Sequence, residues 1–338
     1  MLHGKDLILA TKPYTQENRL KSWYYTITTI ILLLSSLIGA GTALIPLYFR
    51  IAFSIFAGFV FIRMFVIYHD FAHKAILQKS YPAKVIFYAV GVYSLAPPSI
   101  WKRSHDYHHK HNSKLFSASI GSYPIMTKQK FLKSSRRERR QYLMTRHPLT
   151  ILLGFFSMFI IGMCYNSFRV NPRKHFDSLI ALLVHVGVAL WLGFACGWVT
   201  WLLVWFVPFL IAFAIGAYLF YAQHNFPGVK FRDNTEWAYE SAALNSSSFM
   251  KMNWFMRWAT ANIGFHHIHH LNARIPFYRL PEAMAALSEL QQPTETSFKW
   301  RDIIACFKLK VWDPEMQRMI GLDSLRAALS QDDGFRTA

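Results

Sequence analysis

Residues 69–73 read His-Asp-Phe-Ala-His and follow almost directly on an apolar run over 47–67. If the helix of that run continues, the two imidazoles stand four residues apart on one face. That is about 5–6 Å, close enough to share a metal ion. The pattern recurs twice. His105-Asp106-Tyr107-His108-His109, with His111 just beyond, and His266-His267-Ile268-His269-His270, preceded by Gly264-Phe265, both place histidines at i, i+3 and i+4. That spacing predicts three imidazoles converging from one helical face without distortion of the backbone. A single histidine is most simply a hydrogen-bonded core or surface residue. Eight of them in three clusters have no comparable structural use, since charged rings repel and stacked neutral ones need partners.

Outward from these clusters the chain is greasy. Of its 338 residues 53% are hydrophobic and 16% charged, against about 25% charged in soluble domains. The 29 Phe, 16 Tyr and 11 Trp suit a lipid-facing surface with Tyr and Trp at its interfaces. Disorder and coiled coil are excluded. So is a disulfide-stapled secreted fold, because Cys164, Cys196 and Cys306 form no framework. Apolar runs fall at 23–40, 47–67, 85–100, 149–166, 178–195 and 198–221, judged against the roughly 20 residues a spanning helix needs. The first is expected to be a retained span rather than a cleaved leader, since acids and bases precede it and no small-residue cleavage site follows. The 85–100 run holds Gly91 and Pro97-Pro98 and reaches only about 24 Å against roughly 30 Å of hydrocarbon. The 149–166 run has Arg139, Arg140 and Arg146 before it and Arg169, Arg173 and Lys174 after it, so both its ends favour the cytoplasm. Both are expected to be re-entrant or in-plane. The expected fold is therefore an all-α integral membrane domain over 1–338. It has about four spans, 23–40, 47–67, 178–195 and 198–221, under a cytoplasmic helical cap. Arg50 and Arg63, near the two ends of the second span, are expected to snorkel to the interface.

Charge orients this plan. The net charge is +19, and between Lys102 and Lys174 fifteen Lys/Arg face two acids, Asp106 and Glu138. Residues 222–338 are nearly neutral. A run such as Arg136-Arg137-Glu138-Arg139-Arg140 could mark a nucleic-acid patch, but between apolar segments it is better explained by retention on the cytoplasmic side and contact with anionic headgroups. No nucleic-acid partner is expected. Both termini and all three clusters then lie on the cytoplasmic side. The clusters can meet only if an even number of crossings separates each pair, which the four-span plan provides.

So many imidazoles exceed one zinc site and suit two metals; open imidazole-rich coordination also suits non-haem iron handling dioxygen. The Glu and Glu-x-x-His pairs of carboxylate-bridged di-iron bundles are missing, so an all-His di-iron centre is favoured.

The arrangement resembles the integral-membrane fatty acid desaturase family from about residue 60 to 285. HDFAH at 69–73 is similar to its first box, HDYHH at 105–109 to its second and HHIHH at 266–270 to its third, with about thirty residues between the first two. HDFAHK, WKRSHDYHHKH and HHIHHLNARIPFY look closest to the acyl-lipid branch, including omega-6 (delta-12-type) enzymes. The resemblance implies four membrane helices, two irons, and dioxygen-dependent insertion of a double bond. It also implies a further ligand after the last span, where Tyr221-Ala222-Gln223-His224-Asn225 stands. The implied metal ligands are His69, His73, His105, His108, His109, His224, His266, His269 and His270. Acyl-CoA relatives offer an Asn one turn before that ninth His; Phe220 occupies the place here, leaving one coordination position to water or open.

Other residues keep two readings. Asp70, Asp106 and Asn262 could hold the outer nitrogens of ligating rings; for the two aspartates, helix capping or a solvated face is the alternative. His111 is a flanking or surface candidate. His267 faces about 100° from its neighbouring ligand, so a non-ligand role is expected. His185, inside the 178–195 run, is either functional or a buried, neutral, hydrogen-bonded ring. Trp254, Trp258 and Phe265 are expected to pack or anchor at the interface.

An unactivated methylene has no acidic proton, so a cofactor must supply oxidising power and the protein orientation. The chain shows no haem-binding His-Pro-Gly-Gly and no CxxC-type iron-sulfur or rubredoxin segment. Electrons are therefore expected from a separate ferredoxin, rubredoxin or cytochrome b5-type carrier, for which the basic 102–174 surface is one dock. The substrate is expected to be an acyl chain on a membrane lipid or thioester in a hydrophobic channel beneath the cap. The alternatives are a hydroxylase, ketolase or alkane monooxygenase and, from another class, a His-rich membrane metal transporter or binder.

Overall fold

The computed structural model describes residues 2–115 and 123–327. Residue 1 and residues 328–338, on which the expected placement of the two termini partly falls, lie outside it. Four helices are long and apolar enough to cross a membrane: Arg19–Gly41 (span 1), Leu47–Ala72 (span 2), Phe176–Ala195 (span 3) and Trp198–Ala222 (span 4). Each contains an expected run. Span 2 continues past 67 because nothing in Tyr68-His69-Asp70-Phe71-Ala72 breaks a helix; it stops at His73, before Lys74 turns left-handed at φ 60°. In span 4 a widened π turn, Leu202–Phe206, precedes Pro208, whose ring nitrogen has no hydrogen to donate. Exposed Ile27, Ile31, Leu34 and Ile38 on span 1, and Leu183, Val186, Leu190 and Trp191 on span 3, form outer faces suited to lipid.

Span 2 packs along spans 1 and 4. At Gly58 the approach is close enough that a Cβ would stand 2.9 Å from Ile211. The two arginines of this helix differ from expectation. Arg50 donates to the carbonyls of Ala40 and Gly41 and to Thr200 Oγ1, so it closes the end of span 1. Arg63 is 4% exposed. It donates to Thr29 Oγ1 and the Trp258 carbonyl, among the rings of Tyr25, Trp258 and Phe277. Carbonyls and aromatic faces satisfy both guanidinium groups inside the protein, which removes the reason to reach outward.

The run around 85–100 becomes two helices, Tyr81–Tyr93 and Pro98–Lys110, bent by 88°. The corner is built from Leu95 at φ 52° and the Pro97-Pro98 pair. It is pinned to span 2, where Tyr68 Oη donates to the Ala96 carbonyl at 2.9 Å. Gly91 permits this approach, since a Cβ there would lie 2.8 Å from Tyr68 Oη. The second arm begins on a tertiary cap: Asp177 of span 3 accepts from Ser99 N at 3.0 Å and Ser99 Oγ at 2.5 Å. His185 bonds the Tyr93 carbonyl and packs on Tyr93 and Phe209, so it is a buried tie between span 3 and the bent pair. The 149–166 run forms Pro148–Leu152 and a shorter apolar helix, Phe155–Val170, packed against spans 3 and 4.

Above the spans sits a cap. Helices Gly4–Ala10, Tyr239–Asn245, Trp254–Ala259 and His266–Leu271 belong to it, and Leu7, Phe265, Ile268, Leu271, Ile275 and Leu280 form its core. The all-α expectation needs one addition, two small sheets. β1 (Phe249–Lys251) pairs in parallel with β2 (Glu295–Ser297), and β3 (Val311–Asp313) antiparallel with β4 (Arg318–Ile320). Trp254 is 80% exposed, Trp258 packs on Arg63, and Phe265 is buried beneath Arg257. All three cysteines are free.

Candidate metal centre

Four pieces of chain deliver histidines to one place. The end of span 2 carries His69 and His73, the second arm of the bent pair carries His105, His108 and His109, the residue after span 4's C-cap is His224, and a six-residue cap helix carries His266, His269 and His270. Their donor atoms fall into two sets. His69, His73, His105, His109 and His269 form one and His108, His224, His266 and His270 the other, with all donors of a set within 4.8 Å of one another. Among the described residues, these two sets consist of the nine histidines expected as ligands. Helical geometry explains the division: neighbours on a helix point about 100° apart. Each doublet, His108-His109 and His269-His270, therefore sends one ring to each set, with centroids 5.7 and 5.8 Å apart.

Within the four-membered set, His224 Nε2 stands 3.0 Å from His108 Nε2 and 2.9 Å from His266 Nε2, and His266 Nε2 stands 3.1 Å from His270 Nε2. In the other set, His109 Nε2 is 3.1 Å from the Nε2 atoms of both His105 and His269. Imidazoles held about 2.0–2.1 Å from one ion have nitrogens roughly 3 Å apart, so the spacing fits a shared cation. The tautomer agrees where it can be read. His224 Nδ1 donates to the Ser246 carbonyl at 2.9 Å, which leaves the Nε2 lone pair facing its set.

Burial pushes the imidazoles of His73, His105, His108, His109, His266, His269 and His270 well below their ordinary pKa, and neighbouring rings add to the effect. His224 falls to about 4 for the same first reason. The rings are neutral at pH 7, the form that binds metal.

Of the flanking candidates, Asp70 touches a ligand. Its Oδ1 lies 3.3 Å from His69 Nδ1, while Oδ2 accepts the Phe277 N–H at 2.7 Å. Asp106 instead pairs with Lys102 on the outer side of its helix. Asn262 donates to the Phe277 carbonyl. His111 bonds the Tyr107 carbonyl and stacks on that ring. His267 donates to the Leu290 carbonyl at 3.1 Å, on the face away from the sets.

Three supports were invisible in the sequence: the Ser246 carbonyl, the Asp177 cap, and Arg146. Arg146 is fully buried; it donates to Asn225, the neighbour of His224. Only the adjacency of Asn225 to His224 hinted at this.

Apolar space also lies beside span 4. A cavity of about 850 Å3 is lined by Leu152, by Ile215 and Tyr218 of span 4, and by Ile303 and Phe307 of the helix Trp300–Lys308. None of the nine histidines lines it.

Known proteins resemble this chain in sequence. A sequence model of the family described as "Fatty acid desaturase" matches residues 43–301. A "Fatty acid desaturase" of Bacillus subtilis (strain 168) is 30% identical over 271 residues, covering 80% of this chain and 76% of its own. An "sn-1 oleoyl-lipid 12-desaturase" of Anabaena variabilis is 23% identical, covering 85% and 82%. An "sn-1 acyl-lipid omega-3 desaturase (ferredoxin)" of Nostoc sp. (strain 36) is 24% identical, covering 86% and 83%. With the histidine sets and four candidate spans described above, these matches place the chain in the fatty acid desaturase family, an oxidoreductase family.

Proposed function

We propose that this protein inserts a cis double bond into an acyl chain carried on a membrane lipid, with two non-haem irons, dioxygen and electrons from a separate carrier. The observation that carries the proposal is the division of nine convergent imidazoles into sets of five and four. Two irons, one per set, would supply the dioxygen chemistry that an unactivated methylene requires. The overall balance takes two hydrogens from adjacent carbons, two external electrons and two protons, and turns one dioxygen into two waters.

The chain's own residues hold and aim. His69 is steadied by Asp70 and His224 by the Ser246 carbonyl; such outer contacts fix ring orientation. Relatives that act on lipid-linked acyl chains support the substrate class. The apolar cavity of about 850 Å3 beside span 4, within the usual size of ligand sites, supports binding of an acyl chain. The Nostoc relative's name supports a ferredoxin as donor. Exposed Arg136, Arg137 and Arg140 give an acidic carrier a landing face. The basic 102–174 stretch supports a cytoplasmic position for the histidine end. A metal-transport role is disfavoured, because His185, the histidine midway along a span, is engaged with the Tyr93 carbonyl.

Expression in a host lacking the activity, followed by analysis of its lipid fatty acids and of iron per purified chain, tests this reading. New double bonds and close to two irons support it. Hydroxylated or keto products would sink it.

A further inference from the structure

Beside the four-membered histidine set lies a cavity of about 40 Å3, walled by His108, His224, Asn225, Lys114 and Arg146. It holds a few non-hydrogen atoms, since a water needs roughly 10–15 Å3 by this measure. Its charge is unusual. Arg146 is fully buried and forms no ion pair among the described residues. Its NH groups reach the Pro124 carbonyl and Asn225 Oδ1, the rings of Tyr142 and Tyr221 lie 5.6 and 5.2 Å from it, and its Nε meets no acceptor. Lys310 Nζ, donating to the Arg146 carbonyl, brings a second cation close by.

Carbonyl and amide oxygens and two tyrosine rings meet the guanidinium, but no carboxylate pairs with it among the described residues. Asp70, the carboxylate that touches a ligand, belongs to the five-membered set through His69. A metal ion held by His108, His224, His266 and His270 would add positive charge to the same cavity. The set is also one donor short of its neighbour.

We propose that this cavity is a binding site for a small inorganic anion of one to three heavy atoms, such as fluoride, hydroxide or azide, held between the four-histidine set and Arg146. The inference rests on the metal reading above.

Cobalt-loaded protein in detergent provides the test, because the visible spectrum of cobalt reports its ligands. Metal stoichiometry comes first: failure to bind two equivalents overturns the metal reading itself. With two bound, azide should perturb the spectrum of one cobalt with single-site saturation. Arg146→Gln should keep two cobalts and weaken azide at least tenfold, with Arg146→Lys between. Unchanged azide affinity in Arg146→Gln, or no azide binding in the wild type, overturns the proposal. Should Arg146→Gln fail to fold, an anion series on the wild type decides: fluoride and azide should bind and sulfate should not. Sulfate binding as tightly as azide would overturn it.

Discussion

At the scale of single residues, the centre depends on contacts that orient rings rather than on the rings alone. Asp70 holds His69 with one oxygen and the Phe277 backbone with the other. Asp70→Asn keeps the shape but weakens the acceptor, and loss of such an outer partner typically costs 10–100-fold in metal affinity or activity. Iron retained after dialysis against a chelator should fall by that order; full retention would show that His69 needs no such support. Which histidines would converge was legible because the i, i+3, i+4 code is local to a helix. Which carboxylate would serve them was not: Asp70 and Asp106 follow their histidines identically in sequence, and only the fold turns one toward the Phe277 backbone and the other toward Lys102.

At the scale of elements, the bent pair is the part whose placement matters most, because its second arm carries three ligands and is held from two sides. Gly91→Val would drive a side chain against Tyr68 Oη and the Ala96 carbonyl, now 2.8 and 3.1 Å from an added Cβ. Overpacking of this kind costs about 1–3 kcal/mol, and the thermal midpoint of detergent-solubilised protein should drop accordingly. On the other side, Asp177→Asn removes the charge that caps Ser99. A loss of about 0.5–2 kcal/mol is expected, with no change in iron stoichiometry if the arm stays docked. Chemical denaturation would measure it. The break within 85–100 was readable from Gly91 and the proline pair. The burial of Arg63 was not, since its partners Thr29 and Trp258 come from distant stretches of chain.

At the scale of the whole molecule, the buried imidazoles make the metal-free protein acid-sensitive. Burial drops His267 and His224 to about 4, whereas rings in an unfolded chain titrate near 6.5. Between those values the unfolded state binds more protons. Stability is therefore complete above about pH 6.5 and declines as pH falls toward 4. Metal-free protein should melt at progressively lower temperature across that window, and metal-loaded protein should resist; a flat profile for the metal-free form would contradict the assignment. The four-span plan was legible from hydropathy, while the position of the apolar cavity was not, because it forms between span 4 and a helix some eighty residues later. One last property follows from the two histidine doublets. Because adjacent residues on one short helix serve different sets, the backbone would act as a spacing gauge for two ions held there. The same arrangement would tie their occupancy together: an ion in either set would steady the helix that presents the other, so uptake of the second is expected to be assisted by the first.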